Sequence, residues 1–202
     1  MKIPFLVLFA IFIIGCMSTR RDQGMDGYHN DANNTETIDS KVLVISDFSK
    51  DSELKGWEVE DDVVMGGRSE GAFSINQEGN AVFSGNVSLE NDGGFSSVQY
   101  DFDTIDVSQY STVLIRLKGD GKSYQFIVEA DQNDRHYYVY EFQTGNDWQT
   151  VEVPLAEMYP ASRGERLDIP NYSGRTMSQV RFLIASKNPE SFSLEIDKIW
   201  LE

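Results

Sequence analysis

Cysteine is nearly missing from this chain of 202 residues: Cys16 is the only one. No disulfide can form within one copy, and no Cys/His cluster for a metal can be assembled. Histidine is almost as scarce. His29 lies in a polar stretch, and His136 sits between Arg135 and Tyr137 in an aromatic run, where it reads as a half-buried structural residue. A Ser-His-Asp triad would have to rest on His136 alone. Basic residues are few, 17 against 33 acids, for a net charge of -16. That excludes a nucleic-acid partner, which needs a basic footprint, and it opposes adsorption to anionic lipid. The phosphate-binding patterns GxGxxG and GxxxxGK[ST] and the nucleophile pattern GxSxG are absent.

Long apolar runs are also lacking. Lys2 precedes the run from Ile3 to Ile14, too short for the ~20 residues that span a bilayer but suited to the core of a secretory signal. Ile13-Ile14-Gly15-Cys16 resembles the bacterial lipobox, in which the cysteine is acylated and the peptide cut before it. The expectation is a signal peptide over 1-15 and a lipid anchor on Cys16. More than one acyl chain makes such an anchor stable. Residues 16-40 then read as the lipidated cysteine and a flexible tether rich in Asn, Asp, Thr and Ser. About 24 such residues reach roughly 25–30 Å, at ~5–6 Å × √n. The folded domain would lie outside the cytoplasm in a bacterial cell envelope.

From 41 to 202 the pattern is β throughout. Val113–Lys118 and Tyr124–Glu129 alternate with period two about Gly119-Asp120-Gly121, which predicts a hairpin. In the run from His136 to Phe142, alternation puts Tyr138, Tyr140 and Phe142 on one face and Tyr137 on the other. Exposed aromatics on a concave face would suit sugar stacking. In the last strand Phe192, Leu194, Ile196 and Lys198 are expected on one face, with Glu195, Asp197 and Ile199 on the other. Leu155–Met158 can make one helical turn after Pro154, and 168–177 reads as a long surface connection. About ten strands with Gly, Asn and Asp turns, and no sustained helical period, indicate an all-β antiparallel sandwich.

Two glycine-gated loops are the candidate site. One carries Asp61, Asp62, Met65, Gly66, Gly67 and Arg68; the other carries Glu90, Asn91, Gly93, Gly94 and Phe95. Glycine permits close backbone approach, while carboxylates and amides add hydrogen-bonding groups. The loops are expected to meet and form one surface, with Asp61, Asp62, Glu90 and Asn91 as acceptors and Arg68 paired to an acid. The competing reading is bracing, with Met65 and Phe95 plugging the core. Acids at loop ends also suit a structural Ca2+, although no regular acid spacing marks a calcium loop. Asp61-Asp62 with Glu90 is the carboxylate set for a hydrolytic alternative.

Further motifs follow in order: Trp57, Phe83-Ser84-Gly85, Ser88-Leu89-Glu90-Asn91-Asp92-Gly93-Gly94-Phe95, Arg116-Leu117-Lys118-Gly119-Asp120-Gly121-Lys122, Phe142-Gln143-Thr144, Trp148-Gln149-Thr150-Val151 and Leu194-Glu195-Ile196-Asp197-Lys198-Ile199. With Asp61–Ser69 they resemble the complex I intermediate-associated protein 30 family, over about Val44 to Leu201. The resemblance implies a galactose-binding-like jelly-roll β-sandwich without a catalytic centre or cofactor. It also implies a role like that of mitochondrial assembly factors for respiratory complex I. The lipobox departs from the mitochondrial pattern, since it sends the domain out of the cytoplasm. The function expected is therefore a membrane-anchored, non-enzymatic module that binds a protein or a glycan. The alternatives are an exported carbohydrate-active or hydrolytic protein and a complex I assembly factor.

Overall fold

The computed structural model describes residues 41–202; the expected signal peptide, Cys16 and the tether lie outside the described residues. Strands follow one another as β1 (Leu43–Asp47), β2 (Trp57–Asp61), β3 (Glu70–Ile75), β4 (Ala81–Val87), β5 (Phe95–Asp106), β6 (Thr112–Lys118) and β7 (Ser123–Glu129). The series continues with β8 (Tyr137–Gln143), β9 (Gln149–Pro154), β10 (Tyr159–Ser162), β11 (Glu165–Arg166), β12 (Thr176–Ala185) and β13 (Glu190–Leu201). The first sheet has the order β3-β4-β13-β6-β9, with β1 also paired to β13; the second runs β11-β10-β8-β7-β12-β5-β2. The pairings are antiparallel, and the two sheets form the expected jelly-roll sandwich.

Period-two alternation builds the core, because every second side chain of a strand faces the same way. Phe83, Ile115, Leu194 and Ile196 of the first sheet and Tyr124, Phe126, Val180 and Phe182 of the second are fully buried in one cluster. Rings of Phe126 and Phe182 meet at 5.3 Å. Each such side chain contributes ~1.5–3 kcal/mol on burial.

The predicted hairpin does not form. β6 belongs to the first sheet and β7 to the second, so Gly119–Lys122 carries the chain between layers. Asp120 anchors that arch, accepting from Lys122 Nζ at 2.8 Å, Ser193 N at 3.0 Å and Tyr124 Oη at 3.2 Å. Alternation is the same whether two strands pair or face one another across a core, so the pattern could not separate these outcomes. The face assignment in β13 also fails past Ile196. The register against β6 shifts between Ile196 and Lys198, which is a bulge. It returns Ile199 and Leu201 to the core and turns Lys198 outward. The stretch 168–177 is not wholly a surface connection. Tyr172 is buried, its ring 4.8 Å from Tyr138, and its hydroxyl donates to Thr176 O. The single turn after Pro154 is present as Leu155–Glu157.

Candidate functional site

The two glycine loops meet, and Asp62 joins them. Its side chain is buried. One oxygen accepts from Ser69 N at 2.9 Å; the other accepts from Ser69 Oγ at 2.5 Å, Gly94 N at 2.7 Å and Phe95 N at 3.3 Å. A carboxylate offers about four acceptor positions, and four hydrogen bonds from this chain converge on this one. Burial opposes ionisation of Asp62, but the bonds from the Ser69 hydroxyl and from the amides of Gly94, Ser69 and Phe95 outweigh it. The carboxyl is held below its usual range. Ser88 N donates to Ser69 Oγ at 3.0 Å and extends the network into the second loop.

Two glycines make this approach sterically feasible. A Cβ on Gly67 would overlap the Asp62 carboxylate, and one on Gly93 would lie 2.6 Å from Asp62 Oδ2 and 2.8 Å from Ser88 O. Gly66 closes the 3-10 turn Asp62–Met65, and Gly94 supplies the amide for Asp62. Asp61 works beside it, accepting from Gly71 N at 2.9 Å and Ser96 Oγ at 2.5 Å. Asp61 and Asp62 thus tie β2 to β3 and β5. The expectation that they present acceptors to a partner meets two carboxylates already engaged inside the fold.

The outer rim differs. Arg68 Nε lies 3.2 Å from Glu90 Oε2, an ion pair between the loops with both side chains about two-thirds exposed (67% and 65%). Asn91 is exposed with φ 56°, next to Asp92 at φ 60°. Phe95 is half-buried at the start of β5, and the Met65 side chain lies outside what the structure describes. The rim residues and the Asp62 node therefore lie together, with bracing inside and polar groups outside.

The two outer faces of the sandwich have opposite characters. On the first sheet, Arg116–Asp197 (3.1 Å), Lys118–Glu195 (3.1 Å) and Lys198–Asp47 (2.7 Å) form a ladder of ion pairs. On the second sheet, Ile127, Val139 and Ala161 are buried away from the main core, packed with Tyr137, Tyr159 and Leu183. Polar groups surround that cluster. Tyr159 Oη donates to Glu141 at 2.9 Å, and Gln125 Nε2 donates to the same carboxylate at 3.1 Å. Burial, then Glu141, pushes the Tyr159 hydroxyl up to about 12. Arg181 bridges Glu60 (3.3 Å) and Glu129 (3.8 Å). Burial pushes Glu129 above the usual carboxylate range; Arg181 opposes this, and Asp101, Asp134 and Glu60 add to it.

At one end of this face lies an open cleft of about 730 Å³, lined by Glu129, Asp134, Arg135, His136, Tyr137, Ser162 and Arg163. Its walls are tied together by Ser162 Oγ donating to Arg135 O and Gly164 N donating to Tyr137 Oη, both at 2.9 Å. His136 Nε2 is 3.0 Å from Tyr138 Oη, the half-buried setting expected of it. The sequence showed that Tyr137 points away from Tyr138 and Tyr140, but not which residues would surround it. Those come from β7, β8, the segment before β8 and the β10–β11 turn, strands paired only in the folded chain. Among the described residues no cluster of three or more His, Cys, Asp or Glu is placed to hold a metal.

Residues 46–196 match the family model for Complex I intermediate-associated protein 30. The chain belongs to this family. It is 27% identical over 187 residues to the mitochondrial Complex I intermediate-associated protein 30 of Drosophila melanogaster, covering 79% of this chain and 62% of that one. The Mus musculus protein of the same name is 25% identical over 188 residues, covering 81% and 57%. The chain thus spans about three-fifths of the length of these relatives. Among solved structures it is similar to the family 11 carbohydrate-binding module from Clostridium thermocellum in complex with a β-1,3-1,4-mixed-linked tetrasaccharide. The TM-score is 0.58 at 18% identity, covering 79% of this chain and 94% of that one. That likeness concerns the fold of this family member. No helix among the described residues is long and apolar enough to cross a membrane.

Proposed function

We propose that this family member is a non-catalytic binding module, lipid-anchored through Cys16 in a bacterial cell envelope, that holds a protein or glycan partner on the outer face of its second sheet. One observation carries the choice of face. The half-buried Tyr137, Tyr159 and Leu183, packed over the buried Ile127, Val139 and Ala161, form a second apolar cluster outside the main core within a polar surround. Binding surfaces combine such an apolar centre with a hydrogen-bonding rim, whereas the ion-pair ladder of the first sheet is already matched to itself. Family membership and the carbohydrate-binding fold neighbour support a binding or assembly module. The hydrolytic alternative loses its proposed set, because Asp61 and Asp62 accept hydrogen bonds from this chain and only Glu90 stays exposed.

The test places a photo-crosslinking residue at Gln125, on the proposed face, or at Lys118, on the other, in the full membrane-anchored chain. Specific adducts with envelope components are expected from Gln125 alone; equal adducts from both positions would sink the assignment. Metabolic labelling with an alkynyl fatty acid tests the anchor, with Cys16→Ala expected to lose the label and detergent-phase partitioning.

The exposed rim of the glycine loops, Arg68, Glu90 and Asn91 beside the exposed apolar Val63 and Leu89, is a second candidate surface. A role in assembling a respiratory complex is favoured by the names of the mitochondrial relatives. It requires a cytoplasm-facing domain, so protease accessibility in spheroplasts separates it from the envelope reading.

A further inference from the structure

We infer that the cleft beside Tyr137 is a subsite for a neutral, hydroxyl-rich glycan, an inference that rests on reading the second sheet's outer face as the working surface. The cleft leaves several polar groups unused. Among the described residues, the guanidinium groups of Arg135 and Arg163 and the carboxylate of Asp134 have no side-chain partner, although all line the cleft. Donors and acceptors therefore stand side by side in one concave site.

The mixture of lining charges selects the ligand. With Glu129 engaged by Arg181, Asp134 stands beside Arg135 and Arg163 in the lining. An anion would meet the Asp134 carboxylate, and a cation would meet two guanidinium groups. A sugar hydroxyl both donates and accepts, so a polyol satisfies both sets at once. Tyr137 adds an aromatic wall, whose electron-rich face attracts the polarised C–H face of a sugar ring. The cleft volume, about 730 Å³, falls within the ~300–1,000 Å³ of small-molecule sites.

The wall is also held in place before any ligand arrives. Tyr137 Oη accepts from Gly164 N, and Ser162 Oγ donates to Arg135 O, so the β10–β11 turn is fastened to the entrance of β8. Pre-ordering of this kind lowers the entropic cost of binding.

The experiment is affinity electrophoresis of the full chain in detergent, through native gels cast with soluble mixed-linked β-glucan, galactomannan, arabinoxylan or the polyanion alginate. At least one neutral polysaccharide should retard the wild type. Asp134→Asn combined with Arg163→Ala should weaken that retardation tenfold or more without moving the melting temperature, since both side chains are exposed. Tyr137→Phe keeps the ring but loses the bond from Gly164, so it should weaken the retardation less than the double variant does. Retardation by alginate alone, by no neutral polysaccharide, or equally for wild type and the double variant overturns the inference. If no glycan binds while Gln125 still crosslinks a protein, the glycan class fails and the binding-module reading stands. If Gln125 captures nothing either, both fail.

Discussion

The glycine node and the cleft above the second sheet each gather acids and a large side chain, yet their polar groups end in opposite states. At the node, Asp62 accepts four hydrogen bonds from Ser69, Gly94 and Phe95 of the same chain. At the cleft, Asp134, Arg135 and Arg163 face open space without a side-chain partner among the described residues. The contrast teaches how to tell bracing from binding in a fold rich in loop acids. A carboxylate saturated inside the chain lowers the energy of the fold; one left over at a cleft costs little and stays free for a ligand.

The widest separation between the two regions is expected from Asp62→Ala. It strands the Gly94 and Phe95 amides and the Ser69 groups, and buried unsatisfied groups cost ~1–3 kcal/mol each. A loss of about 3 kcal/mol or more in denaturant unfolding is expected; a loss under 1 kcal/mol would show that the node is not a brace. Gly67→Ala comes next. Its Cβ overlaps the Asp62 carboxylate, and forced overpacking costs ~1–3 kcal/mol, read as a lower denaturation midpoint at unchanged slope.

Acid sharpens the same point. Asp62 titrates below its ordinary value near 3.8 when folded, because its hydrogen bonds outweigh the burial that opposes its charge. A depressed carboxyl contributes stability that is complete above the ordinary value and is lost as pH falls through the folded one. The melting temperature should therefore drop below about pH 4, and Asp62→Asn should start lower and fall less steeply. Parallel curves for the two proteins would remove Asp62 from the acid response.

Exposed positions should respond least. Asp134→Asn and Arg68→Ala are each expected to shift stability by no more than ~0.5 kcal/mol, as surface changes and exposed ion pairs do. Only Asp134→Asn should alter retardation in polysaccharide gels. A large loss of stability from Asp134→Asn would erase the distinction between node and cleft.

Much of the fold could be read from residues, because alternation is a local property. The all-β sandwich, the split of Tyr137 from Tyr138, Tyr140 and Phe142, and the turn after Pro154 all follow from neighbours in sequence. The meeting of the two glycine loops was also expected, through the motifs shared with the family. What could not be read was the partner of each strand. The β6–β7 connection became an arch between sheets because both strands bury one face in the same core, and alternation is identical for pairing and for facing. The β13 bulge was invisible for a related reason: it depends on the register against β6.

By itself, the sequence determined composition-level and local facts. One cysteine leaves no disulfide within a copy, the shortage of basic residues disfavours nucleic acid, and period-two patterning dictates strands. The tertiary structure alone decided which acids are consumed and which are free. Asp62 is a brace because β3 and β5 bring the Ser69 and Gly94 amides to it, and Asp134 faces a cleft because β10 packs beside β8. Hydrogen bonds saturate over about 3 Å, a distance that only the folded chain sets between residues far apart in sequence.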